Sequence, residues 1–252
     1  MQIMSAWRNI QTITWRELSS LFSSPVAYVF VAIFLLLSGF FTFMIGGFFQ
    51  LGQASLNRTF FEFVPWLWLA LVPAIGMRLW SEEKRSGTIE LLLTNPIQPW
   101  HAIVGKFLAS WLVLFIALLL TFPLVLTILF LGQPELGVVF SGYLGSFLVA
   151  GAFLSVSSMT SAMSRNQVVS FIIAVVICLF FILAGFSPVT EFFRAFAPEY
   201  QPLIDFIAGF SVMTHYANFQ RGLIDFRDVF YFLSVIAFSL FATSILIRSQ
   251  RQ

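Results

Sequence analysis

The sequence predicts an all-α membrane protein that crosses the bilayer six times, and three observations carry that expectation. Hydrophobic residues make up 59% of the 252 and charged residues only 10%, against roughly 45–50% and 25% in a soluble domain, so a single core could not hide the apolar surface. Six apolar runs lack a charge at their centre, at about 26–49, 63–80, 107–131, 140–163, 168–187 and 229–247, and each is close to the length a helix needs to cross hydrocarbon. The aromatic content is dominated by 33 phenylalanines, which suit lipid-facing and helix-packing surfaces, whereas Trp and Tyr favour headgroup level.

Ahead of the first run, Ile3, Trp7, Ile10, Leu18, Leu21 and Phe22 recur at helical spacing while Arg8, Asn9, Gln11, Arg16 and Glu17 fall elsewhere. This pattern predicts an interfacial amphipathic helix over 1–24, stopped by Ser23, Ser24 and Pro25. Spans 1 and 2 occupy 26–80. The first is longer than the apolar core of a secretory leader, about 7–15 residues, and is read as uncleaved.

Residues 81–105 form a dense polar insert that opens with the run Glu82, Glu83, Lys84 and Arg85. Gly87 interrupts the charged turn, and Ser86 or Thr88 can cap a new helix whose first turn holds Glu90. Ile89, Leu92 and Leu93 give that helix an apolar face, Asn95 and Pro96 stop it, and Pro99 suits the first position of the next helix, which runs through Trp100 and Lys106. Net neutrality of the charged turn favours a protein groove over a phosphate backbone.

Spans 3 to 5 fill 107–187, where Ser141 with Gly145 and Gly151 with Ser155 have the small-xxx-small spacing of close helix packing. Residues 188–228 are too polar to span and too apolar for a solvated linker, and Pro188, Pro198 and Pro202 divide them into short helices that dip into or pack on the outer leaflet. Span 6 covers 229–247.

With the N-terminus in the cytosol, Arg8, Arg16, Arg78, Lys84, Arg85, Lys106, Arg165, Arg248 and Arg251 fall on or near the inner face, leaving Arg58, Arg194, Arg221 and Arg227 outside. Both termini are then cytosolic. Charge-free spans argue against a proton-coupled carrier or a voltage sensor. His101 and His215 fall on opposite faces, no cluster completes a metal set, and Cys178 reads as a small buried hydrophobe. The one Gly-Lys pair, Gly105 and Lys106, is followed by Phe107, and Trp100 stands where a phosphate-binding loop needs its first glycine. Any ATP must therefore be hydrolysed by another chain. A formal charge of +2 gives no support for nucleic acid as a partner.

The stretch MRLWSEEKRSGTIELLLTNPIQPWHAIVGKF, with its order of Glu, Gly-Thr, Glu, Leu-Leu, Pro and Gly-Lys, resembles the permease subunits of ABC-2 type transporters, most closely their gliding-motility-type branch. THYANFQRGLIDFRDVFYF is similar to the stretch leading into that branch's last span. The resemblance implies one transmembrane domain over 1–252, with 1–24 as the connecting helix and 82–97 as a coupling helix. Glu82, Glu83, Arg85, Gly87, Thr88, Glu90, Leu92 and Pro96 would form or shape the element that docks on a separate ABC ATPase. It further implies two ATPase copies carrying ATP and Mg, a second permease chain identical or related to this one, and an accessory membrane protein with a large outer domain. The setting implied is the bacterial inner membrane, and the direction export. Two other classes stay open: a membrane anchor that recruits a cytosolic partner without transport, and an intramembrane transferase using His215, Asp225 and Asp228. In the bland reading of the latter, the two aspartates pair with Arg221 or Arg227.

Overall fold

The structure, a computed structural model, describes residues 2–52, 54–88, 98–196 and 198–249. Among them every regular element is a helix. The long amphipathic helix α1, Gln2–Ser23, ends where Ser24 takes up extended backbone and accepts from the Val26 amide at 3.3 Å. With Pro25 in the first position, where its missing N–H costs nothing, helix α2 runs Pro25–Phe40. A π-turn, Phe41–Ile45, and the short α3, Phe48–Leu51, complete the first crossing. The sequence boundaries for α1 and this span therefore agree with the structure to within a residue or two.

A second π-turn, Asn57–Phe61, leads into α4, Val64–Gly76, and α5, Arg78–Ser86. Helix α6, Pro99–Leu119, starts well before the apolar run expected at 107, and α7, Phe122–Leu131, continues it after a break at Thr121. There Thr121 Oγ1 donates to Leu118 O at 2.6 Å and meets Tyr143 Oη at 2.8 Å. Helix α8, Leu136–Met163, is the longest. Helix α9, Gln167–Leu183, is capped by Asn166, whose Oδ1 accepts from the Val168 amide at 2.9 Å. It bends by 67° into α10, Ser187–Phe196. A 3-10 turn, α11 (Gln201–Ala208) and α12 (Val212–Gln220) follow, and then α13, Phe226–Arg248.

Five of these segments are long and apolar enough to cross a membrane, and six if the bent α9–α10 pair counts as one span. Helices α2, α4–α5, α6–α7, α8, α9 and α13 are the six expected from the sequence. Their chain directions give the bundle two ends: a near end with α1, α5, the start of α6 and the close of α8, and a far end with α10 to α12.

Helix α8 is the hub, touching α4, α5, α6, α9, α12 and α13. Its small residues permit this. A Cβ on Gly145 would lie 2.6 Å from Phe219, one on Gly151 2.8 Å from the Trp111 ring, and one on Gly142 2.6 Å from Phe61. Small-xxx-small spacing thus does what it does in lipid generally, letting large neighbours lie directly on a helix backbone. Trp68 stacks on Phe34 at 4.4 Å and donates its indole N–H to Ser146 O at 3.0 Å, while Trp111 stacks on Phe147 at 4.2 Å and donates to Phe147 O. Buried indole N–H groups need such acceptors because no water competes. The outer surface carries exposed Phe40, Phe130, Phe180, Phe230, Phe238 and Phe241, matching a lipid solvent.

Helices α10 and α11 bury no residue and are joined by an exposed pair, Arg194 to Asp205 at 2.6 Å, which contributes little stability. Helix α12 instead packs on α8 through Val212, Tyr216 and Phe219. The expected short helices between spans 5 and 6 are therefore present, and the last of them belongs to the core.

Candidate functional site

The near end is assembled around a break in the second span. Pro73 inside α4 supplies no N–H to the helical ladder and crowds the preceding turn, and the helix stops at Gly76. A Cβ on Gly76 would sit 2.3 Å from Ser157 Cβ, so α4 and α8 touch almost backbone to backbone here. Restarting as α5 leaves amides without intrahelical acceptors. Helix α8 supplies one: Ser161 Oγ accepts from the Trp80 and Ser81 amides, each at 3.0 Å, and donates to Met77 O at 2.7 Å. Trp80, fully buried, also donates its indole N–H to Ser158 Oγ at 3.0 Å. One turn on, Lys84 Nζ donates to Ala162 O in the last turn of α8, where free carbonyls favour a cation.

A second brace runs through α6. Lys106, expected just outside the third span, lies two turns inside α6 because that helix already begins at Pro99. Its side chain is only 6% exposed, and Nζ reaches Glu83 Oε1 at 2.8 Å and Glu17 Oε2 at 3.4 Å, with the Trp80 ring centroid 5.5 Å away. A buried ammonium is tolerable only with such partners. Helix α1 comes close enough to offer Glu17 because Gly105 leaves room: a Cβ there would meet Ile13 Cγ2 at 2.7 Å. Between α1, α2, α5 and α6 a cavity of about 360 Å³ is lined by Glu17, Arg78, Glu82, Glu83, Lys106 and Ser110 over an apolar floor.

The residues singled out in the sequence divide on this frame. Glu82, Arg85, Gly87 and Thr88 are exposed at the near end. Glu83 turns inward to Lys106, so it fixes the angle of α5 rather than presenting a charge. Gly87, with φ of 72°, takes the left-handed conformation that ends a helix and that L side chains resist. Ser86 was a candidate cap for a new helix; it is instead the last residue of α5 and donates back to Glu82 O at 2.9 Å, with Thr88 Oγ1 at 2.9 Å from the same hydroxyl. Glu90, Leu92 and Pro96 lie outside the described residues. Sequence reasoning missed Glu17, Trp80, Ser158, Ser161 and Lys106 as members of the site. The signal for the serines was present in the run SVSSMTSAM, which places hydroxyls three and four residues apart at the end of an apolar span.

At the far end His215, Asp225 and Asp228 have structural partners. Asp228 does not pair with an arginine: its Oδ1 lies 2.6 Å from His215 Nδ1 and its Oδ2 accepts from Asn218 at 2.8 Å. His215 Nε2 faces Gly209 O at 3.0 Å, and the ring stacks on Tyr231 at 4.0 Å. Asp225 caps α13 by accepting from the Arg227 amide at 2.9 Å, so its partner is Arg227 backbone rather than guanidinium. Both imidazole nitrogens face acceptors of the far end itself, so His215 is held in a structural network that joins α12 to α13 and to Gly209. Among the described residues no group of three or more His, Cys, Asp or Glu is placed to hold a metal.

An all-helical bundle with an apolar exterior, five or six spans and a polar segment braced at one end defines a multi-pass membrane protein. The sequence profile of the family described as ABC-2 family transporter protein matches residues 11–247, nearly the whole chain, and the protein belongs to that family. It is a permease component of an ABC transporter. Comparison with curated proteins gives no match.

Proposed function

We propose that this chain forms the translocation pathway of an ATP-driven exporter and is worked by a separate ABC ATPase that docks on the segment following α5. The near end then faces the cytosol of a bacterial inner membrane, with both ends of the chain on that side, and ATP and Mg belong to the partner. Glu82, Arg85, Gly87 and Thr88 form the near edge of the dock, and Glu90, Leu92 and Pro96 continue it. Glu83 sets its angle. A second permease chain and two ATPase copies complete the complex, and the gliding-motility-type resemblance adds an accessory membrane protein with a large outer domain.

The observation that carries this reading is the pairing of permease family membership with a short exposed polar element tied to three helices at once. An anchoring loop has no need of such bracing, whereas a loop that receives a push must not fold away under it. Charge-free span centres suit an amphipathic or lipid-linked cargo, since no buried ionisable residue is available there for an ion. The test is purification in mild detergent. A soluble chain with a phosphate-binding loop should copurify and hydrolyse ATP faster in the complex with cargo present. Its absence would remove the proposed drive, and association without cargo-dependent hydrolysis would leave an anchor.

A further inference from the structure

Helix α8 meets its neighbours through serines at both ends. At the near end Ser157, Ser158, Ser161 and Ala162 form one face and meet Gly76, Met77, Trp80, Ser81 and Lys84, which form one face of the α4–α5 junction. Ser161 is fully buried, and its hydroxyl spends its one donor and both acceptor sites on a single turn of backbone. At the far end Ser141 Oγ donates to Phe219 O at 2.7 Å, Ser146 Oγ lies 2.9 Å from Tyr216 Oη, and Gly145 lets Phe219 rest on the helix. Ser141 and Ser161 are twenty residues apart within one unbroken helix, about 30 Å at ~1.5 Å per residue, which is the thickness of the hydrocarbon layer.

We infer that α8 is a connecting rod between the ATPase-facing segment and α12 at the far end, and that Ser161 is the positioning residue through which movement of α5 enters it. This rests on the reading of α5 as the neighbour of the ATPase dock. Polar side-chain bonds tie α5 to α6 and to α8. The bond to α6 joins two long flexible side chains, Glu83 and Lys106, which absorb displacement by changing rotamer. Of the bonds to α8, those of Ser161 join a short side chain to the Trp80 and Ser81 amides, so α5 cannot turn about the break at Met77 without carrying the end of α8 or breaking both together; the Trp80 indole and Lys84 add two side-chain bonds to the same end of α8. A stiff helix then delivers the shift to Phe219 and Tyr216. Helix α6, the next described element, is the secondary route.

The test is amide hydrogen exchange of the purified complex in lipid nanodiscs, with and without a non-hydrolysable ATP analogue, comparing wild type, Ser161→Ala, Ser141→Ala and the exposed control Ser234→Ala. Ser161→Ala should speed exchange at Trp80 and Ser81 by about fivefold to tenfold, as loss of a helix cap does. Ser141→Ala should leave those two amides alone. In wild type and the control, the analogue should change exchange across 212–220, and both rod variants should abolish that response while keeping the ATPase bound. Unchanged exchange at Trp80 and Ser81 in Ser161→Ala would overturn the capping role. Faster local exchange with a wild-type response at 212–220 would reduce Ser161 to a structural cap. A bound ATPase with no response of wild-type α12 refutes the rod alone, whereas a chain that binds no ATPase refutes the proposed function beneath it.

Discussion

Replacing Lys106 by methionine keeps most of the side-chain volume and deletes one charge, which isolates the bridge to Glu17 and Glu83. The lysine is 6% exposed, while the two carboxylates are 22% and 21% exposed. Breaking a fully buried pair from one side costs about 3–5 kcal/mol, and the partial exposure of both glutamates lets water recover part of that. A loss of about 2–3 kcal/mol remains, roughly 30-fold to 150-fold in the folded-to-unfolded ratio. Two carboxylates left facing each other add to it, so Lys106→Met should lose more than Glu17→Gln or Glu83→Gln. The assay is SDS-titrated unfolding in mixed micelles followed by tryptophan fluorescence, with Lys106→Met and Glu83→Gln combined as a double-mutant cycle. The combined variant should lose clearly less than the sum of the two. Additive losses, or a change under about 0.5 kcal/mol for Lys106→Met alone, would show that the bridge does not hold α1, α5 and α6 together.

Other substitutions separate the bracing from the dock. Gly76→Ala puts a Cβ 2.3 Å from Ser157 Cβ and should cost about 1–3 kcal/mol by overpacking, read as a lower melting temperature in detergent; an unchanged melting temperature would contradict the close contact of α4 with α8. Asp228→Ala strands the His215 ring and the Asn218 amide and should destabilise by about 1–3 kcal/mol, while ATPase association measured by pull-down stays at the wild-type level. Replacing Glu90 and Leu92 together should abolish export and ATPase association with expression and membrane insertion intact, and normal values of both would remove that segment from the dock. The isolated chain should show no transferase turnover on lipid substrates without ATP, and activity would favour the enzymatic reading of the far end.

Most of the architecture was legible because lipid imposes one rule, that apolar runs of span length become helices. Capping chemistry placed the end of α1 at Ser24 and Pro25 and the start of α6 at Pro99. What the sequence hid is what depends on three-dimensional partners. Lys106 read as a boundary charge because the apolar run begins after it, yet backbone bonding starts the helix at Pro99 and carries the lysine inward to Glu17 and Glu83, 89 and 23 residues away. Ser161 read as one serine among many, since nothing local marks a hydroxyl that will cap a helix some eighty residues distant. The aspartates near the far end lay beside arginines in sequence, but Asp228 found His215 and Asn218 because α12 and α13 pack side by side.

Which partner meets the near end decides whether this chain is driven by an ATPase. With the buried Cys178 replaced, a Thr88→Cys reporter can be treated in intact cells with a membrane-permeant bifunctional crosslinker, alongside an impermeant maleimide. The predicted result is protection from the impermeant reagent and a covalent adduct with a soluble chain that carries a phosphate-binding loop. Labelling of position 88 from outside the cell, with no such adduct, would contradict the account.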